Sequence, residues 1–345
     1  MPKVVHLIPF HDIGGVEVAA NSMREADCSP IRFEVMSIFP ETRGRLTVFN
    51  PWHFLRAARR LAMDSPDVLI LSLWRSALTG LLVRLLNRRV RIVLFLHNSR
   101  DAHVLDRWVT GWAARRCEEI WADSRATATL RLPSPPQKPI RVISFLVDRV
   151  APATTAEPRP VFAFWGRLSP QKDVASALRI FARILAARPD ARFLIIGPDG
   201  GELGRLRDLA KRLEITSAVT FTGPMTKEQI FATAAQASFY LGTSRYEGMA
   251  ISVVEAMQLG LVPLVRAVGE IARYCVADEN ALLIDSEKQA ARDVLTLVED
   301  ESRYGELRQG AITAWLKRPL YSESVAGELA RLLRGSPETG TREVN

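Results

Sequence analysis

Short apolar runs alternate with helical patterns twice along this chain, and that rhythm leaves few folds open. In the first half the runs are Val4–Pro9, Phe33–Phe39, Val68–Leu73, Ile92–Leu96, Ile120–Ala122 and Arg141–Phe145, with helical spacing between them at Val16–Glu25 and Leu78–Leu86. The second half repeats the pattern. Strand-like runs at Val161–Gly166, Arg192–Ile196, Val219–Thr222, Ala237–Gly242, Val262–Val265 and Ala281–Ile284 alternate with helical segments. Those helices are expected at Val174–Ala186, Gly204–Leu213, Lys227–Ala234, Ile251–Gln258 and Glu287–Leu297. The expected class is α/β, with two Rossmann-like doubly wound domains and a cleft between the carboxyl ends of their strands. Val150–Pro160 is rich in Pro and Thr, lacks periodicity and reads as the linker. Residues 1–149 and 150–318 are then the two domains, 319–334 a C-terminal helix returning to the first, and 335–345 a flexible polar tail.

At 345 residues the chain is long enough for two cores, and 48% hydrophobic with 24% charged residues suits a water-soluble protein. The stretch from Met1 to Pro9 reads as a first strand rather than a signal peptide, and no run of 18 apolar residues spans a membrane. Cys28, Cys117 and Cys275 are odd in number and far apart, so they form neither a disulfide framework nor a CxxC metal site. A cytoplasmic setting follows. Residues 1–150 hold 22 Lys and Arg against 14 Asp and Glu, and this surplus of eight accounts for the whole net charge of +8. The first half therefore faces something anionic. Basic residues share the segments Trp52–Arg60, Leu82–Arg89 and Arg107–Arg116 with apolar residues that read as exposed. Such segments suit the surface of an anionic membrane, here the inner face of the cytoplasmic membrane, although ordinary amphipathic helices share the pattern. Nucleic acid is not expected as a partner, because aromatic residues do not interleave with the basic ones as a stacking platform requires.

The segment Ser244–Met257 says most about chemistry. Glu247 lies in a polar, glycine-containing turn and Glu255 in the apolar helical run that follows. Eight steps of helical rise put the two carboxylates roughly 12 Å apart. That is about the span from the ribose of a nucleotide diphosphate sugar to its sugar ring. Carboxylates accept hydrogen bonds from paired hydroxyls, and the first helical turn between them presents N–H groups to a diphosphate. Taken alone, the pair reads equally as a helix-start Glu and a solvated Glu on an exposed face.

Three further loops follow strands in the second half: Trp165–Asp173, Gly197–Gly201 and Phe221–Pro224. Together with Ser244–Met257 they resemble the nucleotide-sugar domain of family 4 retaining glycosyltransferases, group 1 glycosyl transferases of the two-domain GT-B fold. The resemblance covers residues 160–285. Looser matches in the first half are Gly14-Gly15-Val16-Glu17, His97 at the end of Ile92–Leu96, and Ala122-Asp123-Ser124. The chain departs from the family at Ser144–Asp148, where Asn-Gly-Val-Asp is usual. It departs again at Glu270–Arg273, where the pattern has Gly-Ile-Pro-Glu, and at Ala250, where it has Pro.

The resemblance implies transfer of a sugar from a UDP- or GDP-linked donor to a saccharide or lipid-linked acceptor, with retention of configuration. The first domain would bind the acceptor and the second the donor. Glu247 would hold the donor sugar, with Gly248, Met249 and Ala250 beside it. Glu255 would hold the ribose, Arg167, Lys172 and Gly15 would hold phosphates, Gly14 and Gly197 would also bind the donor, and His97 would contact the sugar and help stabilise the transition state. No Asp-x-Asp occurs, so the implied reaction is metal-independent and needs no cofactor. Two other readings stay open: a non-catalytic nucleotide-sugar-binding regulator and a GT-B sugar-nucleotide epimerase.

Overall fold

A computed structural model of the chain describes residues 1–10, 15–24, 26, 28–39, 50–97, 99–132, 134, 137–153 and 157–334. The chain divides into two compact units, Met1–Asp148 joined by the segment from Pro319 onward, and Arg149–Arg318. The polar tail read at 335–345 lies outside the described residues, as does Gly14.

In the first unit the elements are β1 (Lys3–Ile8), α1 (Gly15–Ser22), β2 (Arg32–Ser37), α2 (Pro51–Asp64), β3 (Val68–Ser72) and α3 (Leu73–Leu86). They continue with β4 (Arg91–Leu96), α4 (Val104–Arg116), β5 (Glu119–Ala122), α5 (Arg125–Leu130) and β6 (Ile140–Val142). All six strands are parallel, in the order β2-β1-β3-β4-β5-β6. Every residue of β3 is buried, as a central parallel strand covered on both faces requires. The order reverses between β1 and β3, which opens a crevice outside their carboxyl ends. β3 passes into α3 without a loop residue, and Leu73 takes φ 67° at that corner. The sequence reading, which runs the strand to Leu73 and starts the helix at Leu78, places the start of α3 five residues too late.

The second unit contains β7 (Val161–Trp165), α6 (Val174–Ala187), β8 (Arg192–Ile196), α7 (Leu203–Arg212), β9 (Val219–Gly223), α8 (Lys227–Ala234) and β10 (Phe239–Gly242). It continues with α9 (Ile251–Leu259), β11 (Val262–Val265), α10 (Ile271–Tyr274), β12 (Leu282–Leu283), α11 (Glu287–Val298) and α12 (Glu301–Leu316). The strands are again parallel, in the order β12-β11-β10-β7-β8-β9, so the reversal falls between β7 and β10. Phe162, Phe181, Phe193 and Phe239 pack ring to ring at centroid distances of 5.2–5.8 Å and fill the core between sheet and helices.

The stretch Val150–Pro160 is not a free linker along its whole length. The N–H of Val150 donates to Gln258 Oε1 and that of Ala153 to the Leu259 carbonyl, while Arg149 donates to the carbonyls of Trp315, Leu316 and Arg318. The last helix, α13 (Tyr321–Arg334), packs on the first unit. Tyr321, Val325 and Leu329 are buried, the Tyr321 N–H donates to the Leu146 carbonyl, and Arg331 grips the buried Glu119 carboxylate. β6 is shorter than the apolar run around it, because Phe145 leaves the sheet to meet the Tyr321 ring at 5.4 Å.

Candidate functional site

In the second unit, four loops leave the carboxyl ends of parallel strands and interlock. The β7–α6 loop, Gly166–Asp173, lies on the β8–α7 loop. There the Leu168 N–H donates to the Pro198 carbonyl and the Gly200 N–H to the Leu168 carbonyl, both at 2.9 Å. This close approach needs glycine at 197, and the backbone conformation favours glycine at 166. Gly166 and Gly197 have φ 149° and 143°, and a Cβ on Gly197 would sit 2.0 Å from the Gly166 carbonyl oxygen. The β10–α9 loop docks from the other side, with the Arg245 N–H on the Gln171 carbonyl and Gln171 Nε2 on the Tyr246 carbonyl. The β11–α10 loop closes beneath it: a Cβ on Gly269 would meet the Glu247 carbonyl, and the Glu270 N–H donates to the Gly248 carbonyl.

At the reversal between β7 and β10 stands an ion pair. Lys172 Nζ lies 2.6 Å from Glu247 Oε1, and Glu247 is only 6% exposed. A second carboxylate, Asp173, fastens the loop behind it. Asp173 takes φ 48° before α6 and accepts from Ser176 Oγ and Arg266 Nη1, with Arg245 Nη2 at 3.5 Å. Burial alone would raise the Asp173 carboxyl. The hydrogen bonds from Arg266, Ser176 and Arg245 together outweigh it and hold the group below the ordinary carboxylate range. The stability this carboxylate contributes is therefore complete above its unfolded value near pH 4 and is lost as pH falls through its depressed folded value.

Glu255 lies on α9. The Trp165 Nε1–H donates to its Oε2 at 2.9 Å, and Lys227 Nζ sits 3.5 Å from Oε1. Trp165 and Lys227 are partners that sequence reasoning missed. Trp165 stood inside a quoted motif and Lys227 at a predicted helix start, but neither spacing points to Glu255. The helical-rise estimate of the separation between the two glutamates also needs correction. Glu247 precedes the helix, and Ala250 takes φ 56° before Ile251, so helical rise applies only from Ile251 to Glu255. Met249 and Ala250 are buried, and the Met249 carbonyl accepts from Tyr274 Oη. Arg167 is exposed, with its side chain against Gly200.

In the first unit, Gly15 begins α1 and His97 follows β4. His97 is 8% exposed and lines a cavity of about 200 Å³ with Phe10, Trp74, Arg75, Asp106 and Arg131. The Arg75 guanidinium lies 4.4 Å from the Trp74 ring centroid. Burial, reinforced by the nearby His6, keeps the His97 imidazole well below its ordinary pKa, so the ring is neutral near pH 7. Ser124 caps α5 as the Asp-Ser strand end suggests, accepting from the Thr127 N–H.

Gly197→Ala should remove about 3 kcal/mol or more of unfolding free energy, from left-handed backbone strain together with the clash. Gly204→Ala, on the open face of α7, should be neutral or stabilising. Denaturant titration checks both, and equal midpoints would contradict the loop constraint.

Residues 150–314 match the family model for glycosyl transferases, group 1. A 150-residue stretch is 27% identical to the GDP-mannose:cellobiosyl-diphosphopolyprenol alpha-mannosyltransferase of Xanthomonas campestris, covering 43% of this chain and 39% of that protein. A 182-residue stretch is 29% identical to the D-inositol 3-phosphate glycosyltransferase of Acidothermus cellulolyticus, covering 50% and 37%. The chain thus spans about two fifths of the length of these curated relatives. Among solved structures, Anabaena HepE in complex with UDP and glucose superposes with a TM-score of 0.81 at 17% identity, over 97% of this chain and 100% of that one. Sucrose-phosphate synthase from Thermosynechococcus elongatus gives 0.78 at 15% identity, over 97% and 98%. These structural likenesses establish the GT-B fold.

Proposed function

Because residues 150–314 are a group 1 glycosyl transferase domain, we propose that the chain moves a sugar from a nucleotide diphosphate sugar, UDP- or GDP-linked, to a hydroxyl of a saccharide or lipid-linked acceptor. The observation that carries this reading is the Lys172–Glu247 pair at the strand-order reversal of the second sheet, where open α/β sheets bind ligands. A carboxylate has about four acceptor positions, so Glu247 retains capacity for sugar hydroxyls beside its lysine. Glu255, oriented by Trp165 and Lys227, takes the ribose hydroxyls. Arg167 and Lys172 neutralise the departing diphosphate, and Gly197 lets the backbone approach it. In the first unit, the Gly15 N–H at the start of α1 serves a phosphate oxygen and His97 a sugar hydroxyl.

The reaction is retaining. The bond from the anomeric carbon to the phosphate oxygen breaks and one to the acceptor oxygen forms on the same face. The acceptor proton passes to the leaving phosphate, so the protein needs no nucleophile. Its contribution is orientation and charge stabilisation. Relatives that use GDP-mannose with a diphosphopolyprenol acceptor, and a structural neighbour holding UDP, support the donor and acceptor classes.

Arg167→Ala is the cleaner test of the diphosphate contact, because Arg167 is exposed while Lys172→Ala also removes the ion pair to Glu247. Turnover should fall at least ~10²-fold in each variant. Activity should survive EDTA. Near-normal rates in both variants, or loss of activity in EDTA restored by magnesium, would refute the clamp.

We also propose that the first unit rests on an anionic membrane. α2 and α4 each pack against α3. Phe54, Val83 and Val109 of these helices are buried in the core, contrary to their exposed reading from sequence. Trp52 (73% exposed) and Trp108 (74%) do face solvent, as do Leu55, Leu85, Leu105 and Trp112. The exposed arginines Arg56, Arg59, Arg60, Arg107, Arg115 and Arg116 share α2 and α4 with several of them. No helix among the described residues is long and apolar enough to cross a membrane. The contact is therefore shallow insertion with charge attraction. Flotation with anionic liposomes should capture the chain, and capture should weaken as salt rises and with Trp52→Ser plus Trp108→Ser. A chain that stays in solution at low salt would refute this contact.

A further inference from the structure

Three buried groups in the first unit form a chain that the proposed transfer leaves unexplained. Ser72 Oγ lies 2.7 Å from His6 Nε2 and 2.7 Å from His97 Nε2. Ser72 is the residue before α3, where a serine hydroxyl ordinarily caps the first helical N–H groups, at a worth of about 1 kcal/mol. It makes no such cap. The backbone turns from strand to helix at the next residue, Leu73, through φ 67°, a conformation a branched side chain adopts at a cost. Cap and backbone ease are both forgone where the hydroxyl meets the two rings.

Proton counting then constrains the arrangement. A hydroxyl has one proton, so Ser72 donates to one ring and must receive an Nε2–H from the other. Both rings are neutral near pH 7: burial takes His6 down to about 3, and His97 is also held well below its ordinary value. A neutral imidazole has one N–H. The ring that donates from Nε2 keeps a bare Nδ1, and the ring that accepts at Nε2 carries its proton on Nδ1. Among the described residues, neither Nδ1 has a hydrogen-bond partner. An enclosed N–H without an acceptor is more costly than a bare lone pair. His6 is fully buried between Phe33 and Phe95, whereas His97 lines the cavity beside Trp74 and Arg75. The N–H therefore belongs on His97.

We propose that His6 and Ser72 are positioning residues: His6 Nε2–H donates to Ser72 Oγ, Ser72 O–H donates to His97 Nε2, and His97 is fixed as the Nδ1–H tautomer, a hydrogen-bond donor to an oxygen of the bound sugar. The relay rests on the transferase reading for its role, not for its existence. It makes His97 a donor and not a base, which accords with a reaction whose proton goes to the leaving phosphate.

Imidazole nitrogen-15 spectra of the full chain at pH 7, assigned with His97→Gln and His6→Gln, read the tautomers directly. His97 should show a protonated Nδ1 and bare Nε2, and His6 the reverse. Ser72→Ala should release His97 into a tautomer mixture and lower kcat about tenfold, or about 1.4 kcal/mol, with donor KM nearly unchanged. Ser72→Thr, which keeps the hydroxyl, should restore both. A protonated Nε2 on His97 in the unmutated chain, or an unchanged His97 tautomer in Ser72→Ala, overturns the relay. A chain with the relay tautomers but no transfer from any nucleotide sugar supports the relay while removing the proposed function.

Discussion

The close approach of Gly166 and Gly197 governs the carboxyl edge of the second sheet. With no side chain on Gly197, the loops after β7 and β8 run against each other and hydrogen-bond through Leu168, Pro198 and Gly200. That contact fixes the far end of the β7–α6 loop and so the position of Lys172. The near end is held by Asp173, which ties the start of α6 to Arg266 after β11 and Arg245 after β10. Lys172 and Glu247 meet because both loops are pinned at both ends. A largely buried ion pair contributes little net stability, since desolvation roughly cancels attraction. Its place at the strand-order reversal is better explained by binding than by folding.

The first unit solves the same geometric problem with different residues. Its reversal, between β1 and β3, is also lined by residues that follow the strands: Phe10 after β1, Trp74 and Arg75 after β3, and His97 after β4. Aromatic rings, an arginine and a histidine line it. The charge surplus of the first half is carried largely by helix surfaces such as those of α2 and α4.

Much of this was legible in the sequence where chemistry and turn residues follow an apolar run contiguously, as in Trp165–Asp173 and Ser244–Met257. Both α/β units and most strands were legible for the same reason. What escaped needs register between distant segments. Trp165 reaches Glu255 across 90 positions, and His6 reaches Ser72 across 66. No spacing rule connects them before the strands are ordered. α12 escaped for another cause. Its buried positions Tyr304, Leu307, Ala311, Ile312 and Trp315 keep helical period but stand among charged residues, so no apolar run announces them. Leu73 adopts positive φ without being glycine, which hid the corner before α3.

The central claim is that the second unit holds a nucleotide diphosphate sugar, with Glu255 on the ribose and Glu247 on the sugar. Calorimetric titration of UDP and of GDP into the unmutated chain, Glu255→Ala and Glu247→Ala tests it most directly. One nucleotide should bind the unmutated chain. Glu255→Ala should weaken that binding about tenfold or more, the scale of lost hydrogen bonds to a charged group. Glu247→Ala should bind free nucleotide nearly as well as the unmutated chain, because no sugar is present for it to hold. Binding of neither nucleotide, or loss of binding in Glu247→Ala with Glu255→Ala unaffected, would contradict the account.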